Sequence, residues 1–384
     1  MYQYQSKVRL GSVTLNVVNL ELEAQYYQEV LGMDILNQDE TGVDLGSEKA
    51  QTKLIRLEKV KSDDTKAYGL YHLALVLPSR SDLGNFLKHL LENEFPIVGA
   101  ANHGYSEAIY LEDLEGNGIE VYQDNDEKLW DKQADKIIGI TENLDAESLL
   151  TIATESENKY KLPAQTRMGH LHLTVENVVE ATNFYQQLFE MTEKFAVHSA
   201  SWISSGNYHH HFAFNNWAGG NLNNRTTDLP GLLEFIIYVD DEAFFNQIKE
   251  HAKQMARLQS ADENKLIIED LSGNEIIVKL LDNYESSSHA FAATLWSMAE
   301  RVVLRTDVYD ALKVSTAYAV EKFASDLPGF LEEYKKLEAE ELEKPILFSG
   351  AKKVLTSLSV NGKKNFMISH RNHQVLTILS AAEI

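Results

Sequence analysis

The sequence predicts an α+β chain of four βαβββ modules, followed by a C-terminal helical segment with a partial α/β piece. Three observations carry this prediction. Residues 10–33 (LGSVTLNVVNLELEAQYYQEVLGM) and 168–191 (MGHLHLTVENVVEATNFYQQLFEM) align without gaps and share seven of 24 positions: Gly11/Gly169, Leu15/Leu173, Val17/Val175, Asn19/Asn177, Tyr27/Tyr185, Gln28/Gln186 and Met33/Met191. A second pair of repeats follows, GLYHLALVL (69–77) with GLLEFIIYV (231–239), and DLEGNGIEV (113–121) with DLSGNEIIV (270–278). Within each unit, period-2 apolar alternation passes into 3.6-residue periodicity and then into short β-rich runs.

In chain order, module 1 opens with a strand over residues 10–17 and turns at Asn19 into a helix. Module 2 opens with the apolar run 69–77, continues through the helix SDLGNFLKHLLEN and ends after the Gly-Asn turn in GIEVY. Module 3 repeats module 1 from Met168, and module 4 repeats module 2 from Gly231. The units divide as 1–124, holding modules 1 and 2, and 167–281, holding modules 3 and 4. Between them, 125–166 is a polar linker, partly helical at AESLLTIATESENKY. Residues 282–384 differ in character: SHAFAATLWSMAERVV and FLEEYKKLEAEELEK are amphipathic helices, and NFMIS is a buried strand.

Composition narrows the partners. The 35 basic and 58 acidic side chains give a formal charge of −23, which argues against nucleic acid and anionic membranes, because phosphate binding needs a basic surface. No stretch reaches the roughly 18–20 apolar residues of a membrane span, and the N-terminal MYQYQSKVRLGSV lacks the apolar core of a signal peptide, so a cytoplasmic location is expected. With no cysteine, a transition metal would rely on carboxylates and the 13 histidines. Homo-oligomerisation is left open.

The module order resembles the vicinal-oxygen-chelate superfamily of glyoxalases, bleomycin and fosfomycin resistance proteins and extradiol dioxygenases. Within it, the segments YHLALVLPSR, SEAIYLEDLEGNGIEVY, MGHLHLTVENV and SSGNYHHHFAFNNW look most like the two-domain catechol 2,3-dioxygenase-like proteins. The resemblance spans residues 8–281 and implies that the modules form two curved mixed sheets. The tail resembles the middle of a haloacid-dehalogenase-type phosphatase, a helical cap and then the strand ending in Ser369. That family's DxDGT nucleophile motif is absent, and the expectation is a truncated, inactive piece.

In this superfamily, metal ligands come from the first and last strands of two paired modules. At the first-strand position the modules carry Ser12, His72, His170 and Glu234; at the last-strand position module 2 carries Glu120 and module 4 Ile277. The resemblance therefore implies a 2-His-1-carboxylate centre of His72, Glu120 and His170, a set that suits Fe(II), with Mn, Ni or Zn as alternatives. This requires modules 2 and 3 to pair; pairing of 1 with 2 would leave Ser12, His72 and Glu120, a poor cage. An inward Glu120 inside an apolar strand also calls for a cation, because an unpaired carboxylate is costly to desolvate.

Further roles follow from the same resemblance. Tyr110, ten residues before Glu120, matches the active-site tyrosine of extradiol enzymes, and His103 a pocket histidine. HHHFAF resembles the HHxxAL strand that carries their acid–base histidine, which alignment on Ala213 places at His210. Strand alternation through this run would set His209 and His211 on one face and His210 on the other, leaving His209 and His211 open as ligand or base. His172, two residues from His170, would line the pocket, whereas His89 and His198 read as surface residues. The implied activity is Fe(II)-dependent extradiol cleavage of a catechol with O₂. A glyoxalase-like lyase or isomerase and a non-catalytic small-molecule-binding resistance protein are the alternatives.

Overall fold

The computed structural model describes residues 3–62, 65–154 and 159–281. The C-terminal stretch 282–384, with Ser369 and the phosphatase-like piece, lies outside the described residues. Module 1 comprises β1 (Arg9–Val17), α1 (Leu20–Glu29), β2 (Asp34–Gln38), β3 (Gly42–Ser47) and β4 (Thr52–Lys59). Module 2 comprises β5 (Gly69–Val76), α2 (Arg80–Glu92), β6 (Gly99–Asn102), β7 (Ser106–Glu112) and β8 (Gly118–Asp124). The connecting segment forms β9 (Asp131–Gln133), β10 (Lys136–Ile138), β11 (Glu142–Asn143) and α3 (Ala146–Ile152). Module 3 is β12 (Arg167–Thr174), α4 (Val178–Phe189), β13 (Thr192–Val197), β14 (Ala200–Ser204) and β15 (Phe212–Asn215). Module 4 is β16 (Gly231–Val239), α5 (Glu242–Gln254), β17 (Leu258–Ala261), β18 (Lys265–Glu269) and β19 (Glu275–Leu280).

Each helix begins where the chain offers an oxygen to its unpaired N–H groups. The side chain of Asn19 accepts from Leu22 N, Ser79 from Asp82 N, Asn177 from Val179 N and Glu180 N, and Asp241 from Phe244 N. Such caps contribute about 1 kcal/mol each, which gives the repeated Asn19/Asn177 its purpose. Other repeated positions are core: Leu15, Val17 and Met33, with Leu173, Val175 and Met191, are all buried. At Gly169 a Cβ would lie 1.9 Å from the Tyr122 hydroxyl, and at Gly11 it would lie 2.6 Å from the Tyr238 ring, so both glycines allow a close approach.

Besides the antiparallel pair β9–β10, the two large sheets are mixed, and each is completed across the two halves of the chain. The nine-stranded sheet runs β11-β6-β7-β8-β5-β12-β15-β14-β13, joining modules 2 and 3 through the antiparallel pair β5–β12. The eight-stranded sheet runs β17-β18-β19-β16-β1-β4-β3-β2, joining modules 1 and 4 through β1–β16. In the nine-stranded sheet, alternation sends Leu73, Leu75, Ile119, Val121, Leu171 and Leu173 into one apolar core that also contains residues of the other sheet and of the helices. The opposite face carries the polar side chains of the same strands.

Candidate metal centre

Three adjacent strands set the centre. Across β5 and β12, His72 faces His172 and Ala74 faces His170; across β5 and β8, Ala74 faces Glu120. His72, Glu120 and His170 thus share one face of three neighbouring strands, around the small side chain of Ala74. His72 Nε2 and His170 Nε2 each lie 3.0 Å from Glu120 Oε2 and 3.4 Å from one another. All three side chains are buried.

The donor set fits a cation. Three mutually adjacent ligand atoms about 2.1 Å from one ion are separated by about 3 Å, which is the triangle found here. No lysine or arginine forms an ion pair with Glu120 among the described residues, and an isolated buried carboxylate would be unfavourable. Burial opposes its ionisation, but the His170 charge and hydrogen bonds from His170 and His72 outweigh that and hold the Glu120 carboxyl well below the usual range. Burial lowers the His170 imidazole to about 4, against the opposing pull of Glu120. Among the described residues this is the one cluster with metal-ligand geometry. At the matching strand positions, Ser12, Glu234 and Ile277 form no such group; Glu234 accepts a hydrogen bond from Thr14 at 3.1 Å.

The surrounding histidines separate by geometry. Residues 209–211 precede β15 and are not in a strand, so the alternation expected for them does not apply. His210 lines the cavity over the three strands, its ring centroid 4.1 Å from that of His170. His209 stacks on Tyr105 at 4.3 Å and bonds Asp124 through Nε2 at 2.9 Å. His211 faces away, with Nδ1 2.9 Å from Ser204 Oγ and Nε2 3.4 Å from Ser6 Oγ. His172 lines the cavity, and its Nε2 accepts from Asn215 Nδ2 at 3.0 Å. Burial pushes the imidazoles of both His172 and His210 well below the usual range, favouring their neutral forms. His89, expected at the surface, is instead buried, stacked on Tyr160 at 4.6 Å with Nε2 donating to Glu29 O.

Tyr110 and His103 form a pair at the wall of the same cavity. The ten-residue spacing from Tyr110 to Glu120 is a hairpin register, since the two face each other across β7 and β8. His103 Nδ1 donates to Ile140 O at 2.9 Å, so its Nε2 accepts from the Tyr110 hydroxyl at 2.6 Å. Burial and then the Glu120 charge push the Tyr110 phenol well above its usual range. The cavity holds about 520 Å³ and is walled by Tyr71, Val98, Ile140, Phe195, Trp202 and Trp217, with no lysine or arginine among the described residues that line it.

Asp124, Asn215 and the aromatic wall were not anticipated from the sequence. Asp124 was within reach: it follows Glu120 by four residues on β8, so period-2 alternation puts it on the same face. The wall residues come from separate strands and loops and carry no local signal.

Comparison with known proteins agrees with this architecture. The family model of the glyoxalase/bleomycin resistance protein/dioxygenase superfamily matches residues 9–121. A catechol-2,3-dioxygenase of Bacillus subtilis strain 168 is 32% identical over 276 residues, covering 70% of this chain and 96% of that protein. The crystal structure of a candidate dioxygenase from the same species superposes with a TM-score of 0.50 at 10% identity, covering 72% of this chain and 86% of the other, a likeness of fold. The extent and identity of the match to the Bacillus subtilis catechol-2,3-dioxygenase, together with the family model, establish that the chain belongs to the glyoxalase/bleomycin resistance protein/dioxygenase superfamily.

Proposed function

We propose that the chain is an extradiol ring-cleavage dioxygenase that opens a catechol-type substrate with O₂. Its ligands are His72, Glu120 and His170, and its ion is Fe(II). The observation that carries this reading is the triangle of two imidazole nitrogens and one carboxylate oxygen at 3.0, 3.0 and 3.4 Å, set in the wall of an aromatic cavity. A donor set of two imidazoles and one carboxylate suits non-haem Fe(II), which would supply activation of O₂ and of the diol beside these residues. The relationship to a catechol-2,3-dioxygenase points the same way.

The chain's own groups supply positioning and proton transfer. The diol would lie between the aromatic walls of the cavity, and the lack of a lysine or arginine among its described lining residues disfavours acidic ring substituents. His210, buried and neutral, is the base that takes a hydroxyl proton from the diol. Tyr110, its proton engaged by His103, offers its oxygen to the polar end of the cavity. The product is a ring-opened muconic semialdehyde.

The test is anaerobic loading with Fe(II), followed by catechols and air. Yellow semialdehyde absorbance with matching O₂ uptake is expected, and His170→Ala should lose both the bound iron and the colour. Stoichiometric iron binding without O₂ uptake on a panel of uncharged catechols overturns the reading; accompanying hemithioacetal turnover would replace it with a glyoxalase-type lyase.

A further inference from the structure

A hydrogen-bonded chain runs from Asp124 through His209 to His210. Asp124 Oδ1 lies 2.9 Å from His209 Nε2, and His209 Nδ1 lies 2.7 Å from His210 Nδ1. The ring of His210 lines the metal cavity; that of His209 does not. The far end is held firmly, since Asp124 also accepts from the hydroxyls of Tyr4 and Tyr208, each at 3.2 Å. Stacking on Tyr105 at 4.3 Å fixes the plane of His209.

The direction of each bond follows from which atoms can donate. A carboxylate only accepts, so the His209 proton sits on Nε2. In neutral His209 the other nitrogen, Nδ1, is then an acceptor. The bond between the two Nδ1 atoms therefore requires His210 to carry its proton on Nδ1, leaving Nε2 with a free lone pair. Had Asp124 been an amide donating to His209, every proton in the chain would reverse and His210 would present an N–H to the cavity.

We infer that Asp124 and His209 are positioning residues which fix the tautomer of His210, so that a bare Nε2 is available to accept a proton in the cavity. The inference rests on the proposed role of His210 as base, yet the tautomer itself can be measured without any turnover. When Nε2 takes up a proton, the resulting imidazolium donates through Nδ1 along the same chain towards the Asp124 carboxylate. The arrangement therefore orients the neutral ring and fixes its tautomer, as an aspartate does for the histidine of a Ser-His-Asp triad.

The experiment is long-range ¹H–¹⁵N NMR on metal-free, full-length protein labelled in histidine, with His209→Gln and His210→Gln used to assign the rings. The wild type should show His210 as the Nδ1–H form and His209 as the Nε2–H form. An Nε2–H signature for His210 in the wild type overturns the inference, whatever the activity proves to be. In Asp124→Asn, folding is checked by circular dichroism, and the His210 signature should move towards Nε2–H; a folded variant with an unchanged signature removes Asp124 from the chain. In the iron-loaded enzyme the same variant should lose turnover by about a hundredfold or more, the usual contribution of a general base, while KM and iron content stay near wild type. Loss of iron together with turnover would instead assign Asp124 to the integrity of the centre.

Discussion

Two buried glutamates in this chain have opposite surroundings. Glu120 sits between two imidazoles, which hold its carboxyl low. Glu23, on the inner face of α1, sits near Asp113 and Glu115, and burial with these charges pushes it up to about 8. The folded chain therefore retains a proton on Glu23 that the unfolded chain releases near its ordinary value of 4.5. This contribution to stability is complete below that value and is lost as pH rises through about 8. Glu23→Gln should accordingly gain on the wild type in thermal midpoint as pH is raised from 5 to 8.5; a gap independent of pH would refute the assignment. At this scale the sequence was readable where a repeat supplied a second copy for comparison, as it did for His72 and His170. It was unreadable at His209–His211, because alternation holds only inside a strand and β15 begins at Phe212.

Elements are tied together by a bond that the repeats carry twice. The Tyr27 hydroxyl of α1 donates to Asp113 in the turn before β8, and the Tyr185 hydroxyl of α4 donates to Asp270 in the turn before β19, both at 2.9 Å. Each bond links the helix of one module to the terminal turn of the next, and so couples the two sheets. In those turns Asn117 and Asn274 donate to the same carboxylates at 2.8 Å, which explains why Asp-x-x-Gly-Asn recurs. The repeat of tyrosine and turn was visible in the sequence, but their meeting was not, since 86 and 85 residues separate the partners. Tyr185→Phe leaves the buried Asp270 short of a donor and should cost about 1–3 kcal/mol in urea unfolding, with iron content unchanged. A loss within about 0.5 kcal/mol, ordinary for a surface position, would show the bond to be incidental.

For the molecule as a whole, module order was legible because each module repeats the same periodicities. Pairing was harder, since periodicity does not say which strands become neighbours; the confinement of the candidate ligands to modules 2 and 3 supplied that clue. The antiparallel seams β5–β12 and β1–β16 each bring together strands from either side of the 125–166 connection. Severing the polypeptide there would distribute the three proposed ligands two to one, His72 and Glu120 on the leading piece and His170 on the trailing one. Neither piece, produced alone, should retain iron through gel filtration, whereas mixing or co-expression should restore retention by reconstituting both seams. A single piece that holds iron as tightly as the intact chain would mean that the seam is dispensable for the ion.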